Sequence, residues 1–268
     1  MGLLIKGKWV DQWYDTAKSE GQFVRQDSRF RNTISAEKGS QFIPEAGRYH
    51  LYVSLACPWA HRTLIFRKLK QLEDVISVSI VEAKMMENGW EFGENGDPLY
   101  HLDYAYQLYL KADPNYQGRV TVPILWDKKT QQIVNNESIE IIRMFNSAFN
   151  ELTGNEDDYY PIAQRKEIEN INTRIYDTIN NGVYKAGFAT EQSVYEESVF
   201  QLFKSLDWLE SLLDESRYLT GQQITEADWR LFTTLVRFDA VYVGHFKCNL
   251  KRIQDYPNLS NYLRDLYQ

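Results

Sequence analysis

The spacing of apolar positions divides this chain into three stretches. Up to about residue 45 the apolar residues follow no period, which predicts an extended, mostly irregular arm pinned to the body by Phe23, Phe30 and Phe42. From 48 to about 146, short β-branched and aromatic runs alternate with helical patterns. Residues 48–54 read as a strand, 58–72 as a helix carrying Leu64, Phe66, Leu69 and Leu72, and 75–81 as a second strand. The polar stretch 83–118 is long for a plain loop and predicts short helical pieces around 104–110. Residues 120–126 read as a strand with a proline near its start, 132–134 as its hairpin partner, and Ser138 as the opening of a helix. Beyond residue 158 the spacing is helical throughout. Ile168, Ile171, Ile175 and Ile179 share one face, and Val199, Leu202, Leu206, Leu209 and Leu213 share another. Thr225 with Asp228 three residues on, after Ile224, reads as a capped helix start with a hydrophobic staple. The expected division is an extended arm (1–45), an α/β domain (46–150) and an all-helical domain (151–268).

The junction between the first strand and first helix carries the candidate chemistry. It reads Leu55-Ala56-Cys57-Pro58-Trp59-Ala60-His61-Arg62. Pro58 suits the first helical position. Cys57 then sits among unpaired backbone N–H groups at the positive end of the helix dipole, which favours a thiolate nucleophile. A buried, inert cysteine in a strand–turn–helix corner is the competing reading. A two-cysteine redox motif would need a second cysteine where Ala60 stands. A mixed disulfide on Cys57 must therefore be resolved by Cys248 or by a thiol from outside the chain.

Composition narrows the classes. Hydrophobic residues at 43% and charged residues at 25% are ordinary for a globular protein, while 18 Tyr and 7 Trp suit a site for flat apolar ligands. Two cysteines in 268 residues argue against a disulfide framework and for a reducing, cytoplasmic setting. No apolar run approaches a membrane span, and no secretory pattern opens the chain. The net charge of −7 and the absence of a basic tract argue against nucleic-acid or anionic-membrane binding. His245 and Cys248 lie close in sequence, but too few further ligands accompany them for a zinc site, so no metal is expected.

Several blocks together carry a resemblance. Cys57-Pro58-Trp59-Ala60, Val122-Pro123, Asn136-Glu137-Ser138, the run from Asn181 to Ala189, and Arg237-Phe238-Asp239 with Tyr242 and His245-Phe246-Lys247-Cys248-Asn249 are similar to the xi-class glutathione transferases, the glutathionyl-hydroquinone reductases. Phe23-Val24-Arg25 and Ser28-Arg29-Phe30-Arg31 resemble that family's N-terminal extension. The resemblance implies a thioredoxin-like α/β domain followed by an all-α domain, the glutathione transferase fold. It implies glutathione as co-substrate, aromatic glutathionyl-quinol substrates and a homodimer. Cys57 would attack the glutathione sulfur, and Tyr184 and Tyr242 would serve the quinol ring, with Tyr195 a weaker candidate there. Val122, before a cis Pro123, would pair with the cysteinyl backbone of glutathione. Glu137 and Ser138 would hold the γ-glutamyl group; spacing alone reads them as a helix cap. Arg119 would fork onto the glycyl carboxylate or be a solvated strand end, and Trp90 would be a lid or a core plug. Trp59 reads as packing and His61 as exposed. The alternatives are an omega-like thiol transferase or dehydroascorbate reductase, and a non-catalytic binding module.

Overall fold

The computed structural model describes residues 2–268. Contacts divide the chain into two compact units, one of Met1–Trp13 and Gln26–Asp157, the other of Tyr14–Arg25 and Asp158–Gln268.

In the first unit, β3 (Tyr49–Ser54) lies at the centre of a four-stranded sheet. It pairs in parallel with β4 (Ser77–Val81) and antiparallel with β6 (Ile124–Asp127), which pairs antiparallel with β7 (Gln132–Asn135). All six β3 residues are buried, as a strand flanked on both edges requires. The helix α1 (Pro58–Leu69) follows β3, and α3 (Ser138–Ser147) follows β7; the two pack together. Between them, α2 (Ala105–Ala112) interrupts the long polar stretch. At the other end of β3, Arg48 makes a two-pronged contact with Asp127, at 2.9 and 2.6 Å. Burial opposes charge on this pair, but the guanidinium, Thr130 and the Lys129 N–H together hold the Asp127 carboxyl below its ordinary value.

The start of the arm differs from expectation. Leu3–Ile5 (β1) and Lys8–Val10 (β2) form a hairpin, and β1 also pairs with Gly118–Arg119 (β5). Lys6 and Gly7 both take positive φ at the two-residue turn, the geometry that matches the twist of a tight hairpin. Leu4 is fully buried. The strand expected over 120–126 is also shorter than that: β6 begins only after Pro123, which has no N–H for a ladder.

The second unit is helical. Its helices are α5 (Arg165–Ile175), α6 (Gly182–Phe188), α7 (Gln192–Glu215), α8 (Glu226–Arg237) and α10 (Pro257–Tyr267); two single turns, α4 (Asn150–Thr153) in the first unit and α9 (Val243–His245) here, complete the numbering. Thr225 and Asp228 form the expected capping box on α8. Asp228 is fully buried and accepts from Leu219 N, Thr225 N and the Tyr262 hydroxyl at 2.8–3.0 Å. Two π-helical turns, Tyr176–Asn180 and Phe238–Tyr242, run on from α5 and α8. Such turns shift helical register by one residue and recur at functional sites. The segment 14–25 is tied into this unit, with the Thr190 N–H donating to the Gly21 carbonyl at 3.1 Å. Gly21 has φ +84° and lies where a Cβ would meet Glu191 at 2.5 Å, so the close approach needs glycine.

Candidate active site

Cys57 is the N-cap of α1, in extended backbone, with Pro58 at the first helical position. Its sulfur accepts from Ala60 N at 3.5 Å and donates to the Val122 carbonyl at 3.5 Å. The Val122–Pro123 peptide is cis, and both residues are buried. Strand end, helix start and cis-proline loop thus converge on one half-buried thiol. This is where backbone N–H groups and the helix dipole favour sulfur as an anion.

Glu137 and Ser138 open α3. The Glu137 carboxylate caps the helix, accepting from Ile139 N at 3.4 Å, and also accepts from the Ser28 hydroxyl at 3.1 Å. Ser138 is buried, and its oxygen accepts from Arg62 at 3.4 Å. Arg62 is 1% exposed and lies 4.6 Å from the Trp59 ring centroid. One buried guanidinium therefore touches both α1 and the first residue of α3. In the sequence Arg62 is only the last residue of the run around Cys57; no spacing rule points from it to Ser138, 76 positions away.

The other predicted residues of this unit are placed less uniformly. Arg119 is 9% exposed and donates to the Gln12 carbonyl, so it is not a solvated strand end. Trp90 is half-buried, and its carbonyl accepts from Ala105 N at 2.9 Å, anchoring its loop to the start of α2. His61 is half-buried rather than exposed.

In the second unit Tyr184 and Tyr242 come together, with ring centroids 6.1 Å apart. The π turn Tyr176–Asn180 precedes the helix bearing Tyr184, and Tyr242 ends the other. Phe246 lies 5.4 Å from Tyr184 and 5.3 Å from Tyr242, and Phe188 and Phe23 extend the cluster. Gly187 admits Phe246: a Cβ there would stand 2.3 Å from its ring. Arg25 lies over this cluster, its guanidinium carbon 5.2 Å from the Tyr184 centroid and its Nε donating to Asn181 at 2.9 Å. Sequence reasoning assigned Arg25 and Phe246 no role. The signal available was only their presence in blocks already singled out.

Tyr195 is tied elsewhere: its hydroxyl donates to the Lys247 carbonyl at 2.7 Å. Burial raises its phenol pKa, with Cys248 and Glu196 adding to the effect. Cys248 is fully buried, and burial pushes its thiol up to about 12. It carries no thiolate near neutral pH. Among the described residues no cluster of three or more His, Cys, Asp or Glu side chains could hold a metal ion, and no helix is long and apolar enough to cross a membrane.

A thioredoxin-like sheet with a cysteine-capped helix, joined in sequence to a helical unit, defines the cysteine-type glutathione transferases as a class. The profile of the glutathione S-transferase N-terminal domain matches residues 56–148, and that of the C-terminal domain residues 192–265. The glutathionyl-hydroquinone reductase YqjG of Escherichia coli is 60% identical over all of this chain and 85% of its own length. The glutathionyl-hydroquinone reductase PcpF of Sphingobium chlorophenolicum is 58% identical over 97% of this chain and 83% of its own. The glutathione-bound structure of the E. coli protein superimposes with a TM-score of 0.87, covering 89% of this chain and 81% of that one. The chain belongs to the xi-class glutathione transferases, the glutathionyl-hydroquinone reductase family.

Proposed function

We propose that this protein reduces glutathionyl-hydroquinones to hydroquinones at the expense of glutathione. The observation that carries the reading is the Cys57 sulfur at the N-cap of α1, within 3.5 Å of both Ala60 N and the Val122 carbonyl. The Cys57 thiolate attacks the glutathione sulfur of the thioether. The sulfur–carbon bond breaks, its electron pair stays on the ring carbon, and that carbon takes a proton. The products are the free hydroquinone and a Cys57–glutathione mixed disulfide. A second glutathione, as thiolate, attacks this disulfide, releases oxidised glutathione and regenerates the Cys57 thiolate. The net reaction consumes the thioether and one glutathione and yields hydroquinone and glutathione disulfide.

In this reading Ser138 and Glu137 bind the γ-glutamyl end, Val122 and Pro123 the peptide backbone, and Arg119 and Trp90 its remainder. A serine oxygen at a helix N-terminus suits a carboxylate. Tyr184 and Tyr242 hydrogen-bond the quinol oxygens and assist ring protonation, with Tyr195 as an outlying contributor. The setting is cytoplasmic, consistent with two reduced cysteines, and the assembly a homodimer.

The test is turnover of a glutathionyl-hydroquinone with glutathione, following hydroquinone and oxidised glutathione by chromatography. Cys57→Ala is expected to lower the rate by at least about 10³-fold. Mass spectrometry of the wild type, quenched before glutathione is added, should find glutathione on Cys57. Normal turnover in Cys57→Ala, or conjugation of standard electrophiles without reductase activity, refutes the proposal.

A further inference from the structure

The segment 14–25 contributes a wall of the aromatic cluster. Phe23 is 6% exposed and packs on Tyr14, Tyr184 and Phe188, with centroid separations of 4.6–6.2 Å. The Thr190-to-Gly21 hydrogen bond and the Gly21–Glu191 approach fix its path. Arg25 emerges from this wall. Its guanidinium carbon stands 5.2 Å from the Tyr184 centroid and 5.6 Å from that of Phe23, and its Nε is held by Asn181. The neighbouring cation on α6, Lys185, is matched by Asp177 at 2.5 Å, so that pair adds little net charge. Among the neutral rings of the cluster, the Arg25 guanidinium is the group that lies over Tyr184.

We propose that Arg25 is the specificity-determining residue of the aromatic site, and that it selects glutathionyl-hydroquinones whose ring bears an anionic group, a carboxylate or an ionised hydroxyl. The inference rests on the proposed reductase function, because that reading puts the quinol ring at Tyr184. A guanidinium beside a partly desolvated ring stabilises a negative substituent and offers nothing comparable to a neutral one. A role limited to packing Tyr184 would serve both kinds of ring alike.

The test compares kcat/KM for two glutathionyl-hydroquinones of similar size, one with a carboxylate on the ring and one with a carboxamide. The glutathione part is common to both, so its contribution cancels in the ratio. Arg25→Met, which keeps a long apolar stem against the rings, is expected to cut the carboxylate-to-carboxamide ratio about tenfold; Arg25→Lys should keep it within about threefold of the wild type. Raising salt from 0.05 to 0.5 M should shrink the wild-type ratio, since Arg25 is half-exposed and its field is screened. An equal fall for both substrates in Arg25→Met, or a wild-type ratio indifferent to salt, overturns the proposal. Cys57→Ala run on both substrates separates the two readings. Loss of both activities with an unchanged Arg25→Met ratio sinks only the specificity role, whereas retained activity in Cys57→Ala sinks the reductase reading beneath it.

Discussion

The thiol corner and the aromatic cluster are built by different means. Around Cys57 the work is done by backbone: a strand end, a helix N-terminus, a cis peptide and the carbonyl of Val122. Around Tyr184 it is done by side chains, rings from the segment 14–25, α6, a π turn and the turn at Phe246. A site made of backbone keeps its geometry when side chains vary, which suits an invariant ligand such as a peptide thiol. One made of rings changes shape with each substitution, which suits a variable ligand such as a quinol.

Gly187→Ala tests that contrast most severely. The added methyl would stand 2.3 Å from the Phe246 ring and 2.7 Å from its Cβ, so ring or helix must move. Overpacking of this kind costs about 3 kcal/mol at its upper range, and quinol turnover is expected to fall roughly a hundredfold. Glutathione protection of Cys57 against alkylation should stay within about twofold of the wild type. If protection fell as far as turnover, the two regions would not be separately built.

The same contrast explains what was readable in the amino-acid sequence. Cys57, Pro58 and the strand before them lie within ten residues, and local rules of capping and β-propensity suffice to read them. The capped start of α8 at Thr225 and Asp228 was legible for the same reason. The hairpin of β1 and β2 was not, because its strands are three residues long and one of its partners, β5, lies more than 100 positions away. Nor were the two π turns: Ile168, Ile171, Ile175 and Ile179 follow an unbroken helical period, yet the helix widens at Tyr176. Arg25 over Tyr184 and Arg62 against Ser138 span 159 and 76 positions, and single-sequence periodicity carries no information at that range. Tyr184 and Tyr242 were singled out only through resemblance, since unaided spacing reads them as core.

Acidification should loosen the thiol side first. His50, on β3, is 2% exposed, with its ring nitrogens 2.7 Å from Ser77 Oγ and 2.8 Å from Ser79 Oγ on β4. Burial, reinforced by Lys128, lowers its pKa from 6.5 to about 4. The ring is therefore neutral in the fold down to about pH 4, while the unfolded chain takes up a proton below about 6.5. Between those values the unfolded state binds more protons, so stability falls as pH drops through the window and this contribution levels off below it. The loss attributable to His50 is roughly 2–3 kcal/mol. Denaturant unfolding of the wild type and His50→Gln from pH 7 to 4 measures it, and the variant should show a correspondingly flatter dependence. The protection of amides in β3 and β4, corrected for the intrinsic exchange rate at each pH, should fall with acid before that in α6. Parallel acid curves for wild type and variant would remove His50 from the account.

Ser138→Ala is the mildest change and the cleanest test of how the thiol corner recognises its ligand. The hydroxyl meets Arg62 at 3.4 Å, a long contact, so the fold has little at stake in it. Alanine also keeps the first turn of α3 intact, because the cap is supplied by Glu137 rather than by Ser138. What the substitution removes is one hydroxyl donor at a helix N-terminus, where backbone N–H groups remain to bind a carboxylate. A hydrogen bond to a charged group contributes about 1.5 kcal/mol, so KM for glutathione should rise about tenfold with kcat changed less than about threefold. The carboxylate-to-carboxamide substrate ratio should not move, because the discrimination proposed for Arg25 belongs to the ring-built region. If instead kcat fell and KM held, Ser138 would be acting through Arg62 on the helix that carries Cys57, and the corner would owe its geometry to a side chain after all.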